Sequence, residues 1–176
     1  VNGKIAMKLD EGDHLVRVRV FEGDQNVFLA TRKGKCVRFP VTDVRVFSSR
    51  NSTGVRGIRL VDGDEVIAMS GLNHIKVEVA ERDDYLRSIN AGRRLLGGDY
   101  TDRAEDKARD EAAAARLKEP LFQEMHKEEE FILTVTIDGF GKRSSAYGYR
   151  ISRRGGKGID SMDVKRGKEL TEVVST

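Results

Sequence analysis

The feature that most constrains this chain is an internal repeat of short, basic strands. The first copy reads Phe28-Leu29-Ala30-Thr31-Arg32-Lys33-Gly34-Lys35-Cys36-Val37-Arg38-Phe39. The second reads Ile132-Leu133-Thr134-Val135-Thr136-Ile137-Asp138-Gly139-Phe140-Gly141-Lys142-Arg143. Each is an apolar run, a glycine-centred turn and a strand carrying cations. Each is followed by a second glycine motif, Gly54-Val55-Arg56-Gly57-Ile58 in one and Gly155-Gly156-Lys157-Gly158-Ile159 in the other. A further echo links Lys4 to Leu9, with Glu11-Gly12-Asp13 behind it, to Gly57 to Leu60, with Asp62-Gly63-Asp64 behind it. Repeated short strands of this kind mark a propeller or a related radial array.

Period-two alternation predicts strands over Val16-Arg17-Val18-Arg19-Val20 and Ile75-Lys76-Val77-Glu78-Val79, each with one buried and one wet face. Lys33-Gly34 and Asp138-Gly139 supply the positive φ that a tight hairpin requires. The pattern then changes over 81–130. Tyr85, Leu86 and Ile89 have helical spacing, and Gly97-Gly98 stops that segment. Asp102-Arg103-Ala104-Glu105 resembles a capping box before an alanine-rich run through Ala112 to Ala115 and Leu117. Pro120 ends that run and opens a short helix holding Leu121, Phe122 and Met125. The organisation expected is the end of one blade and the start of the next at 1–26, a blade at 27–80, an acidic helical insertion at 81–130, and a second, incomplete blade at 131–176. The insertion's few apolar residues suit either local packing or a partner.

Charge is sorted along the same boundaries. Net charge is only +3, yet Val27 to Leu60 holds eight Lys/Arg against Asp43 alone, and Phe131 to Asp160 holds six against Asp138 and Asp160. The stretch 81–130 carries fourteen acids against ten bases. Such sorting is the footprint of a polyanion-binding face, although two solvated strand faces would look the same. The candidates are Arg32, Lys33, Lys35, Arg38, Arg45, Arg50, Arg56 and Arg59 in one blade. In the other they are Lys142, Arg143, Arg150, Arg153, Arg154 and Lys157. Gly155, Gly156 and Gly158 would bring backbone N–H groups close to a phosphate, or simply form a tight turn.

Several function classes fit poorly. No apolar run approaches the roughly 18 residues of a membrane span. Cys36 is the only cysteine, and His14, His74 and His126 lack metal-ligand spacing, so neither a disulfide nor a zinc site is expected. Asp10/Glu11/Asp13 and Asp62/Asp64/Glu65 read as loop acids, since they match no defined cation loop. No Gly-x-x-x-x-Gly-Lys-Ser/Thr loop is present to hold ATP. Thr31, Cys36 and the histidines form no nucleophile–base arrangement, and Tyr85, Tyr100, Tyr147 and Tyr149 read as packing or insertion residues. No catalytic residue, metal or cofactor is expected in this segment. The start, Val1-Asn2-Gly3-Lys4, has neither an initiator Met nor a signal-peptide apolar region, which suggests a cytoplasmic chain cut from a longer one.

Gly54-Val55-Arg56-Gly57-Ile58-Arg59-Leu60, Asp138-Gly139-Phe140-Gly141-Lys142-Arg143-Ser144 and Tyr149-Arg150 resemble the repeating blade motifs of the C-terminal domain of the bacterial DNA gyrase A subunit. The resemblance covers Asn2 to Ala80 and Phe131 to about Met162, and a charged insertion of this kind is familiar in the alphaproteobacterial branch. It implies an all-β fold, a partial set of β-pinwheel blades with a helical insertion between them. It also implies non-specific binding and wrapping of double-stranded DNA on a basic rim, in support of ATP-dependent negative supercoiling. The implied partners are the rest of the gyrase A subunit together with the gyrase B subunit, two of each in a heterotetramer. The implied ATP and Mg, and the DNA-cleaving tyrosine, act elsewhere in that enzyme. Ser152-Arg153-Arg154-Gly155-Gly156-Lys157-Gly158 is similar to the family's gyrase box, with Ser152 where Gln belongs. It is therefore expected to be a later-blade copy, with the true box upstream of Val1. Two rivals stay open at this stage, the matching domain of topoisomerase IV and a propeller-type protein-interaction module with an apolar outer face.

Overall fold

The computed structural model describes residues 3–74, 76–97, 104–162, 164 and 169–175. They fall into two compact units, one formed by residues 1–74 with 130–176 and the other by 75–129. The first unit is built from two antiparallel sheets. Strands β1 (Asn26–Thr31), β2 (Lys35–Pro40), β3 (Val66–Leu72) and the two-residue β6 (Ile159–Asp160) make one sheet, in the order β3-β1-β2-β6. Strands β4 (Phe131–Thr136), β5 (Gly141–Ser145) and β7 (Leu170–Ser175) make the other, in the order β5-β4-β7.

The two sheets are copies, and their turns match bond for bond at a constant spacing of 105 residues. The N–H of Gly34 donates to the Thr31 carbonyl, and that of Gly139 to the Thr136 carbonyl. Both glycines sit at φ +84°, a conformation that disfavours any side chain. The Thr31 hydroxyl accepts from the Lys35 N–H at 3.2 Å, and the Thr136 hydroxyl from the Phe140 N–H at 3.2 Å. Past the hairpins, the Val41 N–H donates to Gln25 and the Ala146 N–H to Glu130, each opening a 3-10 turn.

The copies are joined by exchanging chain. After β5 the backbone crosses to the first sheet, where Ile151 bridges Arg38 and Ile159 pairs with Cys36. Phe28, Ala30, Cys36, Ala68 and Leu72 then meet Ile132, Ala146, Tyr149, Leu170 and Val173 in one buried core. Phe28 and Tyr149 stack edge-on at 5.1 Å. The opposite face of the first sheet buries Val27, Val37, Phe39 and Ile58. Because the two sheets are copies, the packing is head to tail. The first sheet offers the face of Phe28 and Ala30, and the second the face of Ile132, which corresponds to Val27.

Arg38 corrects the expectation of a surface cation. It is 4% exposed. Its Nη1 donates to the Ala146 carbonyl and its Nη2 to the Asn73 carbonyl, each at 2.8 Å. Tyr85, Tyr147 and Tyr149 are buried, as their reading as packing residues requires.

Two expected strands are not found among the described residues. Val16 to Val20 have no ladder partner among the described residues, and Val18 and Val20 are exposed. Alternation marks a face that could be covered, but no described strand lies beside it. Lys76 to Glu78 are also not a strand, and Val79 begins a helix; Ile75 lies outside the described residues. The Glu81 carboxylate accepts from the Glu78 N–H at 2.9 Å, half of a capping box, and this local cap wins over the period-two pattern.

The second unit holds α1 (Val79–Gly97), α2 (Ala104–Ala115) and α3 (Pro120–Lys127). Gly97 is the last residue of α1 and Pro120 opens α3, whereas Gly98, Asp102 and Arg103 lie outside the described residues. Tyr85, Phe122 and Met125 are buried, with the two rings edge-on at 5.6 Å. Arg94 grips the buried Asp110 through two bonds of 2.7 Å. The hydrogen bond from Arg116 holds the Asp84 carboxyl below its usual range, and does the same for Glu119.

Stability and reactivity measurements check this packing. Arg38→Ala removes two hydrogen bonds from a charged donor and should lower stability by about 3 kcal/mol in chemical denaturation. Arg143→Ala, on an exposed strand, should stay within about 0.5 kcal/mol. Burial pushes the Cys36 thiol up to about 12 from 9.0, with the Ser161 hydrogen bond opposing and Asp160 adding. Folding thus favours the neutral thiol. That contribution is complete below pH 9.0 and is lost as pH rises through about 12, so Cys36→Ser should flatten the alkaline arm of the stability profile. At pH 8, alkylation of Cys36 should occur only through unfolding.

Candidate nucleic-acid interface

The candidate cations separate into two environments. Those on the first hairpin are matched by acids or carbonyls. Arg32 pairs with Glu65 at 2.5 Å and meets Glu169 at 4.0 Å. The Lys33 ammonium donates to the Asp62 carbonyl at 2.6 Å, and Lys35 pairs with Asp160 at 2.7 Å. On the second hairpin, Lys142 donates to the Ser161 carbonyl at 3.3 Å and Arg143 lies over the Phe131 ring at 3.8 Å. Arg143 stands 105 residues after Arg38, so the same strand position is a buried tie in one sheet and an exposed cation in the other.

The second environment is the outer edge of the first sheet, beyond β2 and beside β6. Arg45, Arg50, Arg56, Arg59, Arg150, Arg153 and Lys157 are all exposed there or on the loops that reach it. None of the seven forms an ion pair within 4.0 Å among the described residues. Arg45 rests over the Phe47 ring at 4.5 Å.

The two glycine motifs meet at this edge. The Gly155 N–H donates to the Gly57 carbonyl at 2.5 Å, and the Arg59 N–H to the Gly156 carbonyl at 2.8 Å. Arg154 reinforces the junction, donating to the carbonyls of Asp43 at 2.9 Å and Arg56 at 3.1 Å. Its guanidinium is thereby turned to the protein, unlike those of its neighbours. Gly155 and Gly158 have φ of +79° and +73°, and a Cβ on Gly158 would lie 2.4 Å from the Cys36 carbonyl oxygen. Glycine is required there for the loop to reach β2.

Arg17 and Arg19 escape a reading based on charge clustering, because they fall outside the two basic runs. With Arg50 and Arg154 they border a cleft of about 710 Å³ whose walls include Val27, Leu29, Phe39 and Phe47. Val27 corresponds to Ile132, which the second sheet buries against the first, so this cleft opens on a face of the blade-packing kind. Among the described residues no cluster of metal-ligating side chains occurs.

Known proteins share this architecture. A family model described as the DNA gyrase C-terminal domain, beta-propeller, matches residues 2–22, 25–73 and 130–173, leaving the helical unit outside it. The DNA gyrase A subunit of Rickettsia bellii (strain RML369-C) is 49% identical over 163 residues, which are 93% of this chain and 17% of that protein. The DNA gyrase A subunit of Granulibacter bethesdensis (strain ATCC BAA-1260 / CGDNIH1) is 45% identical over 170 residues, 93% of this chain and 18% of that protein. This chain therefore spans less than a fifth of the length of these relatives. The crystal structure of the C-terminal domain of DNA topoisomerase IV superposes with a TM-score of 0.60 at 16% identity, covering 97% of this chain and 37% of that one. With two chain-exchanging sheets of one repeat, and with that family model spanning both, the chain belongs to the DNA gyrase C-terminal domain family of beta-propellers.

Proposed function

We propose that this chain binds duplex DNA without sequence preference along its outer basic edge and, as part of a gyrase A subunit, helps to wrap it. The observation that carries this reading is the set of seven exposed cations outside any ion pair among the described residues, on loops fastened to each other by backbone bonds. A duplex presents a line of phosphates, and each one neutralised releases counterions, so many scattered Lys/Arg contacts suit it. Such contacts position the duplex without reading bases. Their sum offsets the cost of bending, on the order of 1–6 kcal/mol for a short site.

In the whole enzyme this wrap supports ATP-dependent negative supercoiling. There the chain works with the remainder of its own gyrase A subunit and with the gyrase B subunit, two of each, in the bacterial cytoplasm. Strand cleavage and ATP hydrolysis with Mg belong to other parts of that assembly, and this segment contributes grip and curvature. No described helix is long and apolar enough to cross a membrane.

Binding to unrelated duplexes of equal length should be equally tight, and log affinity should fall linearly with log salt. Replacing Arg56 and Arg59 by Ala should lower that slope by roughly 0.9 for each phosphate no longer neutralised. Replacing Arg32 and Lys35, whose charges Glu65 and Asp160 already meet, should leave it nearly unchanged. A flat salt dependence, or a strong preference for one sequence, contradicts the proposal.

A further inference from the structure

The two hairpin tips share a backbone and differ in chemistry. At the constant spacing of 105 residues, Arg32 corresponds to Ile137 and Lys35 to Phe140. The first tip is covered by chain from the second blade. The Ser161 N–H donates to the Gly34 carbonyl and the Leu170 N–H to the Arg32 carbonyl, each at 2.8 Å. A Cβ on Gly34 would lie 2.5 Å from Val164 Cγ2. The side chains of the cover match the tip beneath it, since Asp160 meets Lys35 at 2.7 Å and Glu169 meets Arg32 at 4.0 Å. The second tip has the same turn without that cover among the described residues. A Cβ on Gly139 would meet nothing within 4 Å, and Ile137 and Phe140 are 54% and 60% exposed.

We propose that the second tip is the docking surface for a further blade of the longer protein, through a segment equivalent to 160–170 that is apolar where this chain has Asp160 and Glu169. Continuity with the first junction identifies the occupant, because the same hairpin there takes its cover from the next blade along the chain. The gyrase A relatives, of which this chain spans under a fifth, have room for such a segment. An acid facing Ile137 or Phe140 would lose its water with no cation to meet it, which is costly. An apolar segment would bury both side chains favourably. Ile137 and Phe140 are therefore specificity-determining residues. They accept an apolar clasp after the second blade and reject a repeat of the ionic clasp that follows the first. The inference rests on the reading of the chain as part of a gyrase A subunit, but not on DNA binding.

The test compares this chain with a full-length gyrase A subunit containing it, in the absence of DNA. Ile137→Cys and Phe140→Cys are made singly in each, and alkylation rates are read by peptide mass spectrometry. Both introduced thiols should react about tenfold or more slowly in the full-length subunit, where reaction needs local opening of the junction. Leu96→Cys, at an exposed site of α1, should react equally fast in both. In a second arm, Ile137→Arg with Phe140→Lys gives the tip the chemistry of the first copy. Amide hydrogen exchange over 137–140 should then rise about tenfold in the full-length subunit and stay unchanged in this chain. Unchanged exchange at Phe28 shows that the variant is folded.

Equal reactivity of the tip thiols in the two proteins overturns the proposal while leaving the DNA reading untouched. Slow reaction in this chain alone, relieved by dilution, assigns the tip to a second copy and also overturns it. So does protection that appears only when a duplex is added. If the Arg and Lys variant keeps full protection in the subunit, the occupant is not selected by apolar chemistry and the specificity role falls.

Discussion

The buried guanidinium of Arg38 is the contact on which the arrangement of the two blades depends. Its planar fork spans two carbonyls, Ala146 in the second blade's 3-10 turn and Asn73 at the end of the first blade. The Ala146 carbonyl is one that close packing removes from water, and a buried carbonyl without a donor costs roughly 1–3 kcal/mol. A lysine has no fork with which to bridge two acceptors in this way. Around the tie, apolar packing of Phe28 on Tyr149 supplies bulk, while the crossing chain at Ile151 and Ile159 adds backbone bonds. The core therefore gives cohesion, and Arg38 gives the blades their register.

That register determines the surface. When the second blade's chain crosses onto the first sheet, it carries Arg150, Arg153 and Lys157 to the edge where Arg56 and Arg59 already stand. Neither glycine motif assembles the patch alone. The bonds from Gly155 to Gly57 and from Arg59 to Gly156 join the motifs across the blade junction. An interface made this way is tied to the integrity of the fold. The proposed ligand, long, uniform and negatively charged, suits cations gathered at such a junction.

The sequence is informative where a local rule governs the structure. Gly34 and Gly139 are legible because a tight hairpin needs positive φ, and Pro120 because it opens a helix. The repeat itself is legible because both copies keep the same turn chemistry. What fails depends on partners far along the chain. Arg38 looks like any other cation of its run, and only the Ala146 and Asn73 carbonyls show it to be internal. Val16 to Val20 alternate perfectly, yet alternation says nothing about whether a neighbouring strand exists. β6 is two residues long, too short for any periodicity. Within the candidate site, charge clustering marks segments that do reach the outer edge. It does not separate Arg32 and Lys35, which face acids, from Arg153 and Lys157, which do not.

The most direct test is to map which arginines duplex DNA covers. Arginine-selective modification with phenylglyoxal, with and without a saturating duplex, can be read residue by residue by mass spectrometry. The account predicts strong protection of Arg56, Arg59, Arg150 and Arg153, little change at Arg32, and no reactivity of the buried Arg38 in either state. Protection confined to Arg32 and the hairpin tips, with the outer edge fully reactive in the complex, would contradict it.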